Sequence, residues 1–333
     1  MSFEIELFSP LEASNGDLRE CYQVIVSVVA EEFPEQPIPT FDAYVGQMRT
    51  GTSLLGERSY WVAREQGEIL GVATLELPAF ENSDVAVVTV RVRPTARRRG
   101  IGRALLRTAI AQARTESRGL LNVQSVKVDG EGERWATKLG FETVQSYVLQ
   151  RLEIAAVEPR LWQVSVPDGF RLQHWSGRAP HELVAAYALA RTAIADAPLG
   201  DSEFKFPEWT VDRVRQHEAE IEERGDIHWV VVAVCERSGA VAGLTEMLFT
   251  PHRPGLGLQQ ETAVPPAFRG QGLGQLVKAE MMQWVTRQRP EIHSIVTNTA
   301  ADNTYMIRVN RQIGYATDCT VADMEARVEG LSI

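Results

Sequence analysis

The sequence predicts an α/β protein built as a tandem duplication, on three observations. A short Gly-rich turn occurs twice, as Arg97-Arg98-Arg99-Gly100-Ile101-Gly102 and as Arg269-Gly270-Gln271-Gly272-Leu273-Gly274. An alternating first strand occurs twice, Phe3 to Phe8 and Phe170 to Trp175. A late aromatic, Phe141 or Tyr315, precedes the last strand of each half. The offsets between copies are 167 (170 − 3), 172 (269 − 97) and 174 (315 − 141). A nearly constant offset over three landmarks marks a repeat, and the drift is a few inserted loop residues.

Each half then reads in the same order. After the first strand comes a helical region, Asp17 to Glu32 or His181 to Ala197. A polar segment with turn residues follows, Pro34 to Pro39 in one half and Asp196 to Trp209 in the other, the latter leading into a charged helix from Val211 to Arg224. A hairpin comes next, Tyr60 to Leu77 around Gln66-Gly67, or His228 to Phe249 around Ser238-Gly239. Another strand, Asp84 to Val92 or Leu258 to Val264, runs into the Gly-rich turn and a long helix, Gly100 to Arg114 or Gly272 to Arg289. Pro290 stops the second of these. A strand, Leu121 to Val126 or Ile292 to Thr297, and a short helix lead into the closing strand. The expected boundaries are a first domain over 1–155, a linker over 156–168 containing two prolines, and a second domain over 169–333.

At 333 residues, 44% hydrophobic and 23% charged, the chain has the make-up of a globular protein long enough for two domains. No apolar run reaches membrane-span length, and Met1-Ser2-Phe3-Glu4 does not open a signal peptide. Three scattered cysteines, Cys21, Cys235 and Cys319, argue against a disulfide framework and for a reducing, cytoplasmic setting. The six histidines form no ligand-spaced pair, so no metal is expected. A net charge of −10 disfavours nucleic acid and favours a cationic substrate such as an amine.

The turns carry the chemistry. A strand, a Gly-rich turn and a helix N-terminus make an anion site, because free backbone N–H groups and the positive end of the helix dipole point at one place. Both copies read as pyrophosphate cradles. Arg91, Arg93, Arg97, Arg98, Arg99, Arg103 and Arg107 form a basic cluster around the first. No interleaved aromatics suggest nucleic acid, so a phosphate clamp beside a solvated helix face is the better reading. A dinucleotide oxidoreductase is disfavoured, because neither turn has the third glycine of that fingerprint.

With these elements placed, each half resembles the GNAT superfamily of acyl-CoA-dependent N-acyltransferases. The resemblance rests on the Arg-x-x-Gly-x-Gly turn after a Val-x-Pro strand end, and on Leu139-Gly140-Phe141 or Ile313-Gly314-Tyr315 some forty residues on. It covers nearly the whole chain as two copies. Gln259 to Val264, Asn298, Asn303, Met306, Asn310 and Asp196-Ala197-Pro198 resemble a tandem subgroup. Mycothiol synthase, another tandem member, differs in its second-half motifs and stands as a minor alternative.

The resemblance implies, for each half, a mixed, mostly antiparallel twisted sheet with a splayed central strand pair, and acetyl-CoA as cofactor. The pyrophosphate would lie on backbone N–H groups of Arg97 to Arg103 (Arg97, Arg98, Arg99, Gly100, Ile101, Gly102, Arg103) and of Arg269 to Gln275 (Arg269, Gly270, Gln271, Gly272, Leu273, Gly274, Gln275). The pantetheine arm would pair with the strand ends at Val90 and Val92, or Thr262 and Val264, where one N–H would polarise the thioester carbonyl. Asn303 and Asn298 match positions that touch the cofactor or end the preceding strand.

An alkylamine is mostly protonated at pH 7 and needs a base. Glu261 is the first candidate and Glu246 the second; a solvent-facing strand carboxylate is the alternative for each. The Tyr that many members place five residues before the closing aromatic is replaced by Ala136 (141 − 5) and Asn310 (315 − 5). Asn310 as a donor to sulfur, and Tyr305 as an acid, are the substitutes. The first half has the acidic stretch Asp129-Gly130-Glu131-Gly132-Glu133 where the second has its amides, so the second is favoured as catalytic. The expectation is therefore a cytoplasmic N-acetyltransferase, monomeric or homodimeric, acting on a small-molecule primary amine. A CoA-binding protein without turnover is the rival.

Overall fold

A computed structural model of the protein describes residues 3–50 and 56–331; Met1 and Ser2 lie outside these. The first repeat runs through β1 (Glu4–Phe8), α1 (Asn15–Glu32), α2 (Phe41–Arg49), β2 (Glu57–Glu65), β3 (Glu68–Leu77), β4 (Val85–Val92), α3 (Ile101–Thr115), β5 (Leu120–Lys127), α4 (Glu131–Lys138) and β6 (Glu142–Glu153). The second has the same order: β7 (Phe170–Ser176), α5 (Val184–Arg191), α6 (Val211–Glu223), β8 (Ile227–Cys235), β9 (Val241–Phe249), β10 (Leu256–Ala263), α7 (Leu273–Gln288), β11 (Ser294–Ala300), α8 (Thr304–Gln312) and β12 (Ala316–Arg327).

Local chemistry explains the elements. Helix α1 starts where the Ser14 side chain accepts from the Asp17 N–H, and it buries Leu18, Cys21, Val24, Ile25 and Val28 at helical spacing. Helix α2 is capped by Thr40, whose hydroxyl accepts from the Ala43 N–H; it follows directly on the Pro34–Pro39 segment, and the sequence reading missed it. Where one helix was expected over His181 to Ala197, α5 ends at Arg191 and a 3₁₀ turn covers Thr192–Asp196.

The chain forms two compact units that do not follow the expected boundaries. The first comprises residues up to Tyr147, Leu199–Lys205 and those from Cys319 onward; the second comprises Val148–Pro198 and Phe206–Asp318. The closing strands explain this. Strand β12 pairs antiparallel with β5, from Val321 opposite Lys127 to Arg327 opposite Leu120. Met324, Ala326 and Val328 therefore join the first unit's core with Ile101, Leu105 and Leu121. The later part of β6 lies beside β11, and Leu152 is buried in the second unit's core. Each closing strand thus completes the sheet built on the other repeat's strands. The stretch 156–168, expected as a linker, is docked: Trp162 is buried in the second core and donates its indole N–H to the Ile313 carbonyl at 2.9 Å.

The first unit's sheet runs β1-β2-β3-β4-β5-β12 and the second's β6-β11-β10-β9-β8-β7. Both are mainly antiparallel with one parallel pair at the centre. Strands β4 and β5 pair only from Val85 opposite Leu120 to Val87 opposite Asn122. Strands β10 and β11 pair only from Leu256 opposite Ser294 to Leu258 opposite Val296. Beyond those points the ladder stops although the strands continue, so each unit has a splayed central pair opening toward its Gly-rich turn.

Candidate active site

Each turn has the geometry of an anion cradle. Gly100 and Gly272 are the N-caps of α3 and α7, at φ +86° and +76°, with no side-chain cap. The first helical bonds are Ala104 N–H to Gly100 and Leu276 N–H to Gly272. The N–H groups ahead of them are left for a ligand. Space beside both glycines is open: a Cβ at either would meet nothing within 4 Å. These features fit a pyrophosphate. The turns differ at three residues, and one of these differences falls where the backbone is left-handed. Gly270 adopts φ +78°, and its counterpart Arg98 adopts φ +62°, a conformation that favours glycine.

The surroundings of the two cradles also differ. Arg97 is paired with Glu31 at 2.8 Å, Glu32 at 2.6 Å and Glu131 at 3.1 Å, and Arg99 with Glu65 at 2.7 Å. Four of the seven arginines read as a phosphate clamp, Arg93, Arg97, Arg98 and Arg99, are thus paired with carboxylates, and Glu131 brings negative charge to the loop. Trp135 from α4 lies against Gly102, where a Cβ would meet its ring at 3.4 Å. In the second unit Arg269 has Asp196 as its one ion-pair partner among the described residues, at 2.6 Å, and a Cβ at Gly274 would meet Val264 at 3.7 Å. Arg103 and Gln271 are exposed and half-buried Gln275 opens α7, while Ile101 and Leu273 are core residues that anchor their helices.

Strand β10 carries a bulge that β4 lacks. Between Gln259 opposite Met247 and Thr262 opposite Thr245, two residues, Gln260 and Glu261, face the single residue Glu246. The corresponding stretch of β4, Val87 to Val92, pairs with β3 without interruption. A bulge leaves a backbone group out of the ladder and re-aims side chains. It lies at the start of the splay, just past the bond from the Thr297 hydroxyl to the Gln259 carbonyl at 3.3 Å. Val90, Val92 and Val264 are half-buried and pack on their units' cores.

The bulge places Glu261 in a charged cluster on the α5 side of the sheet. Arg191, 3% exposed, donates from Nε and Nη2 to Glu261 at 3.1 and 3.0 Å, and its Nε lies 3.1 Å from Glu246. Its guanidinium stacks 3.3 Å from the Trp209 ring centroid. The Tyr187 hydroxyl donates to Glu246 at 2.6 Å, and His228 Nε2 is 3.5 Å from the same carboxylate. Burial alone would raise the Glu246 carboxyl, but Arg191, His228 and Tyr187 outweigh it and hold it below the usual range. Glu261 goes the other way: burial, aided by the Glu246 charge, outweighs Arg191 and raises its pKa. Two neighbouring carboxylates are thereby driven apart, the pattern of a stable anion beside a proton acceptor. The Glu261 side chain retains 23% exposure, which gives it a route to solvent. His217 is held neutral, down to about 3, by burial and by Arg191. His217 Nδ1, His228 Nδ1 and Trp209 Nε1 are buried without hydrogen-bond partners among the described residues.

The remaining expectations fare differently. Asn310 is fully buried, and its amide donates to Gln150 at 2.8 Å and to Thr299 at 3.1 Å. Both N–H groups are engaged, so it does not present a free donor to a sulfur. Tyr305, 54% exposed in the first turn of α8, has no hydrogen-bond partner among the described residues. Asn303 caps α8, its Oδ1 accepting from the Met306 N–H at 3.1 Å. Asn298 is exposed on β11. Arg191, Tyr187, His228 and Lys278 were not singled out by sequence. An arginine inside the apolar run of α5 and a lysine inside that of α7 were the available signals.

A family profile described as acetyltransferase (GNAT) family matches residues 18–141 and 193–315. A mycothiol acetyltransferase of Nocardia farcinica is 26% identical over 273 residues, covering 78% of this chain and 80% of that protein. One from Mycolicibacterium paratuberculosis is 25% identical over 264 residues, covering 74% and 75%. Among solved structures, a tandem GNAT protein from the clavulanic acid biosynthesis pathway aligns with a TM-score of 0.79 at 26% identity, covering 98% of this chain and 99% of its own. A GCN5-related N-acetyltransferase from Sphaerobacter thermophilus shares the fold, with a TM-score of 0.74 at 16% identity over 98% and 96% of the two chains. With both repeats matched, and each built on a splayed strand pair that opens onto a helix-capping Gly-rich turn, the chain belongs to the acetyltransferase (GNAT) family.

Proposed function

We propose that the protein transfers an acetyl group from acetyl-CoA directly to a primary amine of a small molecule, and that the second unit does so. The observation that carries this reading is Glu261: a carboxylate with a raised pKa, on a bulge at the mouth of the splayed pair, fixed by Arg191 and partly open to solvent. The cofactor cradle of Gly270, Gly272, Gly274 and the α7 N-terminus faces the same splay.

When bound, acetyl-CoA supplies an electrophilic thioester carbonyl. The residues of this chain do the rest. Backbone N–H groups of the cradle would hold the pyrophosphate. A backbone N–H that the bulge leaves out of the ladder would be the donor to the thioester carbonyl. Glu261 takes the amine proton, and Glu246 stays ionised beside it. The cluster has two carboxylates for one guanidinium, which suits an ammonium-bearing acceptor. The unpaired nitrogens of His217, His228 and Trp209 on this face would recognise polar groups of the acceptor.

A panel of primary amines with acetyl-CoA and a thiol-detecting reagent tests the reading. The expected result is amine-dependent thiol release with an acetylated product. Tight acetyl-CoA binding without thiol release on any amine would contradict it. That outcome would instead support a CoA-binding protein without turnover, a reading favoured by the engaged Asn310 amide.

A further inference from the structure

On the α7 face of the bulged strand, opposite the Arg191 cluster, lies a second polar group that the mechanism above leaves unused. Lys278 projects from α7 and is 1% exposed. Its only hydrogen bond among the described residues is a long one, Nζ to Thr262 Oγ1 at 3.4 Å. It has no carboxylate partner among the described residues. Thr262 Oγ1 lies 2.7 Å from Thr245 Oγ1, which accepts from Gln259 Nε2 at 2.6 Å, and Gln259 Oε1 accepts from the Tyr315 hydroxyl at 2.7 Å. The Tyr315 ring sits 5.5 Å from Nζ. Five side chains from α7, β9, β10 and the segment before β12 thus form one buried chain whose end is an ammonium with unmet donors.

The first unit shows that the fold does not need this chain. By strand register and turn offset, the counterparts of Thr245, Gln259, Thr262, Lys278 and Tyr315 are Ala73, Val88, Val90, Leu106 and Phe141. All five are apolar and belong to, or pack on, the first unit's core. Burying an ammonium without a counter-ion is costly. A site that carries that cost, when the same scaffold elsewhere holds leucine, is completed by something outside the protein. Thr262 places Nζ beside the splay on the face of the cofactor helix, where the cradle admits a ligand. The position expected to supply an acid, Asn310, has its donors engaged.

We propose that Lys278 is the counter-ion for the thiolate that leaves when acetyl is transferred. This rests on the acetyltransferase reading of the second unit. In the step, the amine nitrogen–carbon bond forms, the carbon–sulfur bond breaks, and that electron pair stays on sulfur. The amine proton goes to Glu261 and from there to solvent. The sulfur anion pairs with the Lys278 ammonium, leaves as the thiol after taking its proton, and Lys278 is reprotonated from solvent. Tyr315 is the titratable side chain in contact with Lys278, and it stays protonated, since burial raises its pKa well above the usual value. Burial alone also lowers Lys278, to about 7, so its charge responds to an anion arriving at the site.

The test uses the full-length protein and CoA itself, read by the far-ultraviolet absorbance of a thiolate at neutral pH, where a free alkyl thiol is mostly protonated. Bound CoA is expected to show a thiolate band. In Lys278→Met that band should fall at least about tenfold, equivalent to one pKa unit, while acetyl-CoA, which has no thiolate, binds within about twofold of wild type. Lys278→Arg should retain the band, and circular dichroism of each variant checks the fold. A wild-type complex in which bound CoA is a thiol, or an unchanged band in Lys278→Met, overturns the proposal but leaves the acetyltransferase reading standing. Failure of wild type to bind CoA or acetyl-CoA overturns both.

Discussion

Glu261 and Lys278 stand on opposite faces of one strand, and pH acts on them in different ways. Glu261 must be ionised to accept a proton, so kcat/KM is expected to fall on acidification through a pKa above the ordinary carboxylate value of 4.5. A rate profile with no acid limb above that value would remove it as the base. Lys278, besides its place at the leaving sulfur, affects stability. Its folded pKa, about 7, is below its ordinary 10.5, so across that window the unfolded chain holds a proton the folded chain does not. Stability from this group therefore rises with pH from 7 toward 10.5, by up to about 1.4 kcal/mol per unit, and its burial penalty is greatest below 7. Lys278→Met should flatten that slope and raise the melting temperature at pH 7; chemical unfolding over this range would reveal it. Arg191→Leu should be damaging for the opposite reason, leaving Glu246 buried without its main partner at a cost of about 3–5 kcal/mol. A loss under about 1 kcal/mol in denaturant unfolding would contradict the cluster's electrostatics.

At the scale of elements, the Gly-rich turns, their helices and the hairpins were legible because each has a local cause: glycine at positive φ, helical spacing of apolar residues, or a two-residue turn. Helix α2 was not read, because Pro34, Pro37 and Pro39 dominate the segment before its Thr40 cap. The β10 bulge was not read either. Gln260 and Glu261 do not announce that both face Glu246, since a bulge is a property of the pairing and not of one strand. Asn310 was legible as an unusual residue, but its partner Gln150 lies 160 positions away in sequence. The cradle makes its own prediction. Gly272→Val forces a β-branched residue to φ +76° with no clash in the free protein. The variant should fold, with a loss of about 1–2 kcal/mol, and its acetyl-CoA affinity should drop at least about tenfold. Unchanged affinity by calorimetry would place the pyrophosphate elsewhere.

For the whole molecule, the repeat predicted two similar units, but not which strand completes which sheet. The closing strands β6 and β12 alternate alike, and nothing local in either names its neighbour. The repeat also concealed how unlike the two cradles are. The first has Arg97 tied to Glu31, Glu32 and Glu131, Trp135 against Gly102, and no bulge in β4. On the opposite side of β4, Phe204 packs on Val85, Val87 and Leu120, and Asn82 holds the Lys205 backbone by both its N–H and its carbonyl. Carboxylates at an anion site repel a pyrophosphate. Titration with acetyl-CoA should accordingly show one strong site per chain, and two equal sites would contradict this asymmetry.

The central claim is that the second unit transfers acetyl to an amine with Glu261 as base. Single-turnover acetylation of an accepted amine by wild type and Glu261→Gln, each saturated with acetyl-CoA, tests it most directly. The transfer rate is expected to fall at least about a hundredfold in Glu261→Gln, the size of a general-base contribution, with acetyl-CoA affinity unchanged. Transfer by Glu261→Gln at the wild-type rate would contradict it.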